Sequence, residues 1–395
     1  MTDQIKSDAP AKPPFYRDPE KRALIFQGVF LALVLYVIYL LVRNTLTNLD
    51  ARGISTGFDF LNTTTGFKIS ETLIEYNQSS TYIDVFFVGL FNTILVSVVG
   101  IIFATILGFT MGVARLSNNW LIARLAAIYV DTLRNIPLLL QLFFWYFAVL
   151  RPLPNPKQAL EFGQSIFLSN RGLIIPKPLY QDGIGLVVVA VVIAILSIFI
   201  LRRWARKRQE ATGEQFPVLY TALGVLIGLP LLAFIVTGFP LSWELPVLKG
   251  FNFQGGMVLT PEFSSLVFAL SVYTSSFIAE IVRAGILSVD HGQSEAAFSL
   301  GIKPSWTTRL IIVPQALRVI IPPLTSQYLN LTKNSSLAAA IAYPDLVAVF
   351  AGTSLNQVGQ AVEIMGMTLA VYLFLSLIIS YFMNWYNARN ALVER

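Results

Sequence analysis

The sequence predicts an all-α integral membrane protein with eight transmembrane helices. Three observations carry that expectation. Of 395 residues, 55% are hydrophobic and only 13% charged, against about 25% charged in a soluble globular domain. Eight apolar stretches approach the ~20 residues that cross a hydrocarbon core. Arginine and lysine gather beside one alternating set of loops, as they do where loops stay in the cytoplasm.

The first stretch, Ala23–Val42, follows a polar, Pro-rich lead containing Lys12, Arg17, Lys21 and Arg22. It is longer than the core of a secretory signal, and "LLVRNTLTNLD" after it holds no small-residue cleavage site, so it reads as an uncleaved span. The second stretch is Phe86–Ala114, rich in Val, Ile and Gly. The third falls within Leu121–Leu150, with a polar first half and Pro137 placed to kink it. The fourth and fifth, Ile184–Leu201 and Phe216–Gly238, flank "RRWARKRQEATGEQ". The sixth is Pro261–Leu287. The seventh lies within Val319–Val347 and carries Pro322-Pro323, expected to kink it, and the eighth is Gly366–Tyr386.

Alternating these spans from a cytoplasmic N-terminus puts Arg115, Arg124, the basic run 202–208 and segment 288–318 inside. The net acidic loop 43–85 and the Pro-rich loop 151–182 then lie outside, and both termini are cytoplasmic. No internal repeat is evident. The chain divides into 1–85 (tail, first span and loop), a membrane domain 86–388 with an insertion about 152–255, and a tail 389–395.

Composition also excludes chemistries. With no cysteine and one histidine, His291, there are no disulfides, no thiolate ligands and too few donors for a transition-metal site. His291 reads as a solvated side chain in a polar loop. The net charge of +6 lies beside apolar runs, so it reports membrane topology and not nucleic-acid binding.

One polar passage, "SEAAFSLGIKPSWTTRLIIVPQAL" (294–317), separates two spans. Ser294 is placed to cap a short helix with Glu295 in its first turn, where a negative charge suits the helix dipole. Ala296 and Ala297 follow, and Gly301 falls where a left-handed C-terminal cap is expected. Lys303-Pro304-Ser305 starts a second helix, which Pro314 ends or kinks. Two short helices with small side chains and one carboxylate suit insertion into a groove of another protein. An ordinary connecting loop fits the same residues.

The spacing Glu295-Ala296-Ala297, three residues, Gly301, nine residues, Ile311, one residue, Val313-Pro314 resembles the "EAA" loop of ABC-importer permeases, with Val313 in place of the usual Leu. "FIAEIVRAGILSVDHGQSEAA", "VPQALRVIIPPLTSQYLNLTKNSSLA", "GLFNTILVSVVGIIFATILGFTMGVARLS" and "YVDTLRNIPLLLQLFFWYF" resemble the permeases for polar amino acids. The resemblance covers about Gly89–Tyr386 outside the insertion. Size and insertion are similar to those of general L-amino acid permeases. It implies a five-helix type I importer core with cytoplasmic coupling helices in a bacterial inner membrane. It also implies a dimeric ABC ATPase, a second permease subunit and a periplasmic amino-acid-binding protein as partners. Glu295, Ala296, Ala297, Gly301 and Pro314 then carry coupling to the ATPase. No G-x-x-x-x-G-K-[ST] phosphate loop occurs, so this chain is expected to bind no cofactor and to leave ATP to its partner.

Ionisable residues at membrane depth mark pathways. Lys333, with Thr332, Asn334, Ser335 and Ser336, offers groups for a zwitterionic amino acid; alternatively Lys333 snorkels or pairs with Glu280. Asp131 and Arg134, i,i+3 neighbours, are expected to neutralise each other. Glu280 and Arg283, one turn apart near the cytoplasmic end of the sixth span, are expected to be structural or gating residues. Asn92-Thr93 are expected to make helix–helix hydrogen bonds. The expected function is uptake of L-amino acids, with broad specificity, by alternating access. Another small polar solute, an ion-coupled secondary transporter and a membrane scaffold are the rival readings.

Overall fold

The computed structural model describes residues 18–390, apart from 52, 54 and 55. Helix α1 (Pro19–Ala51) overruns the expected first span at both ends and exposes nearly every side chain. Residues 56–81 then form an irregular cover containing a 3₁₀ turn at Asp59–Asn62. Phe60 from this cover is buried with Tyr82, Phe350 and Ile364. Gly57 N–H donates to Glu363 Oε1 at 2.7 Å, tying the cover to a distant helix.

Helix α2 (Tyr82–Ala114) starts where the Asp84 carboxylate accepts from the Thr81 N–H (2.8 Å) and hydroxyl (2.9 Å). Its buried stripe includes Gly100, Ala104, Gly108 and Gly112. Against it lies α7 (Pro261–Leu287), which buries Ala269, Ser271, Ser275, Ser276 and Ala279. Small residues on facing helices let backbones approach where no water drives association. The approach leaves no slack: a Cβ on Gly108 would stand 2.5 Å from Ile278 Cγ2.

The third span is broken. Helix α3 (Trp120–Asn135) is capped by Asn119 Oδ1, which accepts from Leu121 N–H at 3.0 Å. It ends at Ile136-Pro137, and α4 (Leu138–Phe143) continues as a π-helix through Leu150, bent 105° from α3. Pro137 supplies the break, as expected. Gln141 Nε2 donates to the carbonyls of Leu133 (2.8 Å) and Ile136 (3.0 Å), which the break frees.

The insertion differs from the all-helical expectation. The apolar hairpin of α5 (Ile184–Thr212) and α6 (Val218–Val236) is present, but eight short strands flank it. β1 (Leu160–Phe162), β2 (Ile166–Ser169), β3 (Gly172–Ile175) and β8 (Met257–Leu259) form one antiparallel sheet in the order β1-β2-β3-β8. β4 (Lys177–Tyr180) pairs with β5 (Leu241–Glu244), and β6 (Val247–Lys249) with β7 (Asn252–Gln254). The 151–182 loop is therefore a sheet closed by residues from beyond the hairpin.

After α7 come two short helices, α8 (His291–Ser299) and α9 (Pro304–Thr307). A π turn over Thr308–Ile312 leads into α10 (Val313–Asn334). Pro314 ends no helix: it stands at the start of α10, directly after the π turn that joins α9 to it. Pro322 and Pro323 lie inside α10, and the helix is unbroken there. The seventh span also stops earlier than Val347, because a 3₁₀ turn (Ser335–Ile341) ends at Ala342 with φ +60°. The chain then folds back over α2 through a π-helix (Val347–Ser354) and α11 (Leu355–Val358) before α12 (Ala361–Asn390). Among the described residues seven helices are long and apolar enough to span a membrane, and the bent α3–α4 pair makes eight. The expected tail 389–395 lies outside the described residues from 391 onward.

Candidate coupling segment and translocation path

The polar passage forms its two helices, with a shifted start. Asp290, not Ser294, caps α8: its Oδ1 accepts from Gly292 N–H at 2.7 Å. Ser294 and Glu295 therefore lie in mid-helix, outside the first turn. Asp caps as well as Ser does, and Asp290 comes one helical turn earlier, so the helix starts there. Glu295 Oε1 lies 3.0 Å from His291 Nδ1, one turn back, so the histidine is exposed, as expected, yet partnered.

Gly301 closes α8 with φ +73°. Its N–H donates to Phe298 O at 2.9 Å, and Ile302 N–H donates to Ala297 O at 3.0 Å. Those two bonds make a Schellman turn. Lys303 then caps α9, with Pro304 in its first turn. Ala297 is buried beneath the two helices, whereas Glu295, Ala296, Phe298, Leu300 and Trp306 are exposed. An outward face with one carboxylate and large apolar groups has the composition of a docking surface.

This segment hangs below an ion cluster at the foot of the bundle. Glu280 on α7 accepts from Arg115 Nη1 at the end of α2 (2.5 Å) and from Arg283 Nη2 (2.6 Å). The Asp131–Arg134 pair is replaced: Asp131 lies 3.6 Å from Arg115, and Arg134 stacks 5.1 Å from the Phe277 ring centre. Among the described residues no ion pair joins Glu280 to Lys333; Arg115 and Arg283 take its carboxylate instead.

Near Lys333 the residues do not converge. The hydroxyls of buried Thr332 and Ser335 donate to Tyr328 O (3.0 Å) and Thr332 O (2.8 Å). Lys333 itself is exposed and Asn334 half-buried. Asn92 bonds to non-helical backbone and not to another helix as expected: its Nδ2 donates to Pro344 O at 2.9 Å and Glu71 O at 3.0 Å, while Thr93 Oγ1 accepts from Leu346 N–H at 3.1 Å.

At the opposite end, sequence reasoning missed a cavity of about 410 Å³ lined by Ser70, Glu71, Asn92, Thr260, Phe263 and Tyr343. Glu71 hydrogen-bonds the Thr260 hydroxyl there. Burial, with Glu262 nearby, outweighs that bond and pushes the Glu71 carboxyl up to about 7. Asp345 was missed too. It is buried, accepts from Ala348 N–H (2.8 Å) and the Tyr372 hydroxyl (3.4 Å), and burial raises it to about 7. Pro344-Asp345 opening the apolar run LVAVF, a helix-start pattern, was the legible signal for it. Nothing local marked Glu71, whose neighbours come from far along the chain.

Residues 213–391 match the family described as binding-protein-dependent transport system inner membrane component. A general L-amino acid transport system permease protein, AapQ of Rhizobium johnstonii, is 53% identical over 378 residues, covering 96% of this chain and 94% of its own. The chain belongs to this family of transport-system inner membrane components. A putative amino-acid ABC transporter permease protein of Escherichia coli, YhdX, is 55% identical over 380 residues, covering 96% and 97%. A glutamate/glutamine/aspartate/asparagine transport system permease protein of Rhodobacter capsulatus, BztB, is 41% identical over 409 residues, covering 96% of each. As a family member, this inner membrane component works beside an ATPase and a binding protein.

Proposed function

We propose that this chain is one of two permease subunits of an ATP-driven importer of L-amino acids. The observation that carries the reading is the α8–α9 pair, turned at Gly301 and exposed outside the bundle, in a chain without a phosphate loop. The printed names of three relatives, all amino-acid permeases, support the substrate class.

In this reading both termini and residues 202–215 face the cytoplasm, while 43–85 and 151–182 face the periplasm and the binding protein. ATP binds to a separate ATPase dimer, whose clefts take α8 and α9 through Glu295, Ala296, Ala297 and Gly301. Pro314 fixes the start of α10 directly above them. Movement passes to the Arg115–Glu280–Arg283 cluster, which joins the feet of α2 and α7. A second, non-identical permease subunit completes the pore, and Lys333, with Thr332, Asn334 and Ser335 behind it, lines the path on the exposed side of α10.

The test is the intact complex, with its ATPase and binding protein, reconstituted in liposomes and offered a panel of L-amino acids. ATP-dependent accumulation of several is expected. Accumulation driven by an ion gradient without ATP would overturn the importer reading, and uptake of another polar solute alone would overturn the substrate class.

A further inference from the structure

We propose that the basic end of α5, residues 202–208, is a binding site for the phosphate headgroups of anionic phospholipids. Only the lodging of α5 and α6 in a bilayer is required, so the proposal stands apart from the transport reading. The apolar part of α5, Ile184–Leu201, is about 27 Å long at 1.5 Å per residue, close to the ~30 Å hydrocarbon core. Arg202 and the residues after it therefore emerge at headgroup depth. The helix does not stop there: it continues to Thr212, where Gly213 closes it with φ +74°.

The basic residues are arranged by the helix. At about 100° per residue, Arg202, Arg203, Arg206 and Lys207 fall within one arc of about 140°. All four are exposed. Ala205, on the far side, is buried in line with Ala190 and Ala194, the stripe on which α5 and α6 pack. The four charges thus face away from the partner helix. Glu210 shares their face one turn on, leaving it net positive. Arg208 lies apart, pairs with Glu214 at 2.9 Å, and stacks its guanidinium 5.6 Å from the Trp204 ring centre. Among the described residues no ion pair engages the other four; a topological signal alone needs no such focused, unpaired face.

The surroundings suit a membrane surface. Trp204 packs edge-on against Phe216 with ring centres 5.1 Å apart, and Leu219 and Tyr220 are exposed at the start of α6. Aromatic rings of this kind settle at the headgroup level. The other end of the hairpin carries Asp182 and no basic residue between Gln181 and Leu201. Clusters of four or more Lys/Arg immediately beyond a span concentrate anionic lipids.

The chain has no cysteine, so Gln209→Cys gives it one attachment point for a fluorophore; the variant is labelled as the purified chain and then assembled into the intact transporter. In vesicles of phosphatidylcholine and phosphatidylglycerol, quenching by acyl-chain spin-labelled phosphatidylglycerol is compared with quenching by the matching phosphatidylcholine. The anionic lipid is expected to quench about threefold more, with the excess vanishing between about 0.1 M and about 1 M salt. R202Q/R203Q/R206Q/K207Q should abolish the excess. Because removing four charges can invert a hairpin, R202K/R203K/R206K is measured beside it and should retain the excess. Equal quenching by the two lipids in the otherwise wild-type chain, or in the lysine variant, would overturn the site, as would an excess that salt leaves unchanged.

Discussion

Gly301 adopts φ +73°, and a Cβ there would meet no atom within 4 Å. Replacing it therefore costs backbone strain alone, roughly 1–2 kcal/mol for a side chain forced into the left-handed region. Gly301→Val should leave the complex inserted but loosen the α8–α9 turn, while Gly301→Asn, which tolerates that region, should lose less. Glu295→Ala removes the exposed carboxylate and its histidine contact without touching the bundle. Both Gly301→Val and Glu295→Ala should lower the ATPase retained on purification and the hydrolysis stimulated by substrate; unchanged values would reduce the segment to a connector. Lys333→Met keeps length and removes charge. A charged hydrogen bond to substrate is worth about 1.5–3 kcal/mol, so uptake should fall about tenfold or more with assembly intact. Normal uptake of every amino acid tested would remove Lys333 from the path.

Between elements, one tight joint is α2 on α7. A Cβ on Gly108 meets Ile278 Cγ2 at 2.5 Å and the Ser275 carbonyl at 3.0 Å. Gly108→Val should destabilise the bundle by about 1–3 kcal/mol through overpacking, read as a lower melting temperature of the detergent-solubilised complex. The cover 56–81 is held differently, through Glu71 at Thr260. Its folded pKa, about 7, lies above the ordinary 4.5. The contribution is fully present below about pH 4.5 and is lost as pH rises through about 7. From pH 6 to pH 8 the cover should loosen by about 1 kcal/mol. Hydrogen exchange of residues 66–78, corrected for intrinsic rates, should report it, and Glu71→Gln should remove the dependence. Exchange that ignores pH in the wild type would mean Glu71 does not hold the cover.

Across the whole molecule, the cover 56–81, the sheet and the fold-back 342–358 stand at one end of the bundle, and α8–α9 and the Glu280 cluster at the other. That polarity yields a topology test. Single cysteines at Gln209 and Asn62 can be probed with an impermeant thiol reagent in cells opened only at the outer membrane. Asn62 should label and Gln209 should not; the reverse pattern would overturn the orientation.

Span number, the break at Pro137 and the Gly301 turn were legible because each depends on residues close in sequence. A bilayer demands long apolar runs with internally satisfied backbones, and a left-handed cap favours glycine. The Asp290 cap was equally local but was overlooked in favour of Ser294 four residues on. What tertiary structure decided joins distant residues. Leu173 pairs with Leu259 across the α5–α6 hairpin. Arg115 takes both Glu280 and Asp131, and Glu71 finds Thr260 far along the chain. A side chain's local neighbours state its charge and its helical face; only packing states which opposite charge, strand or hydroxyl that face will meet.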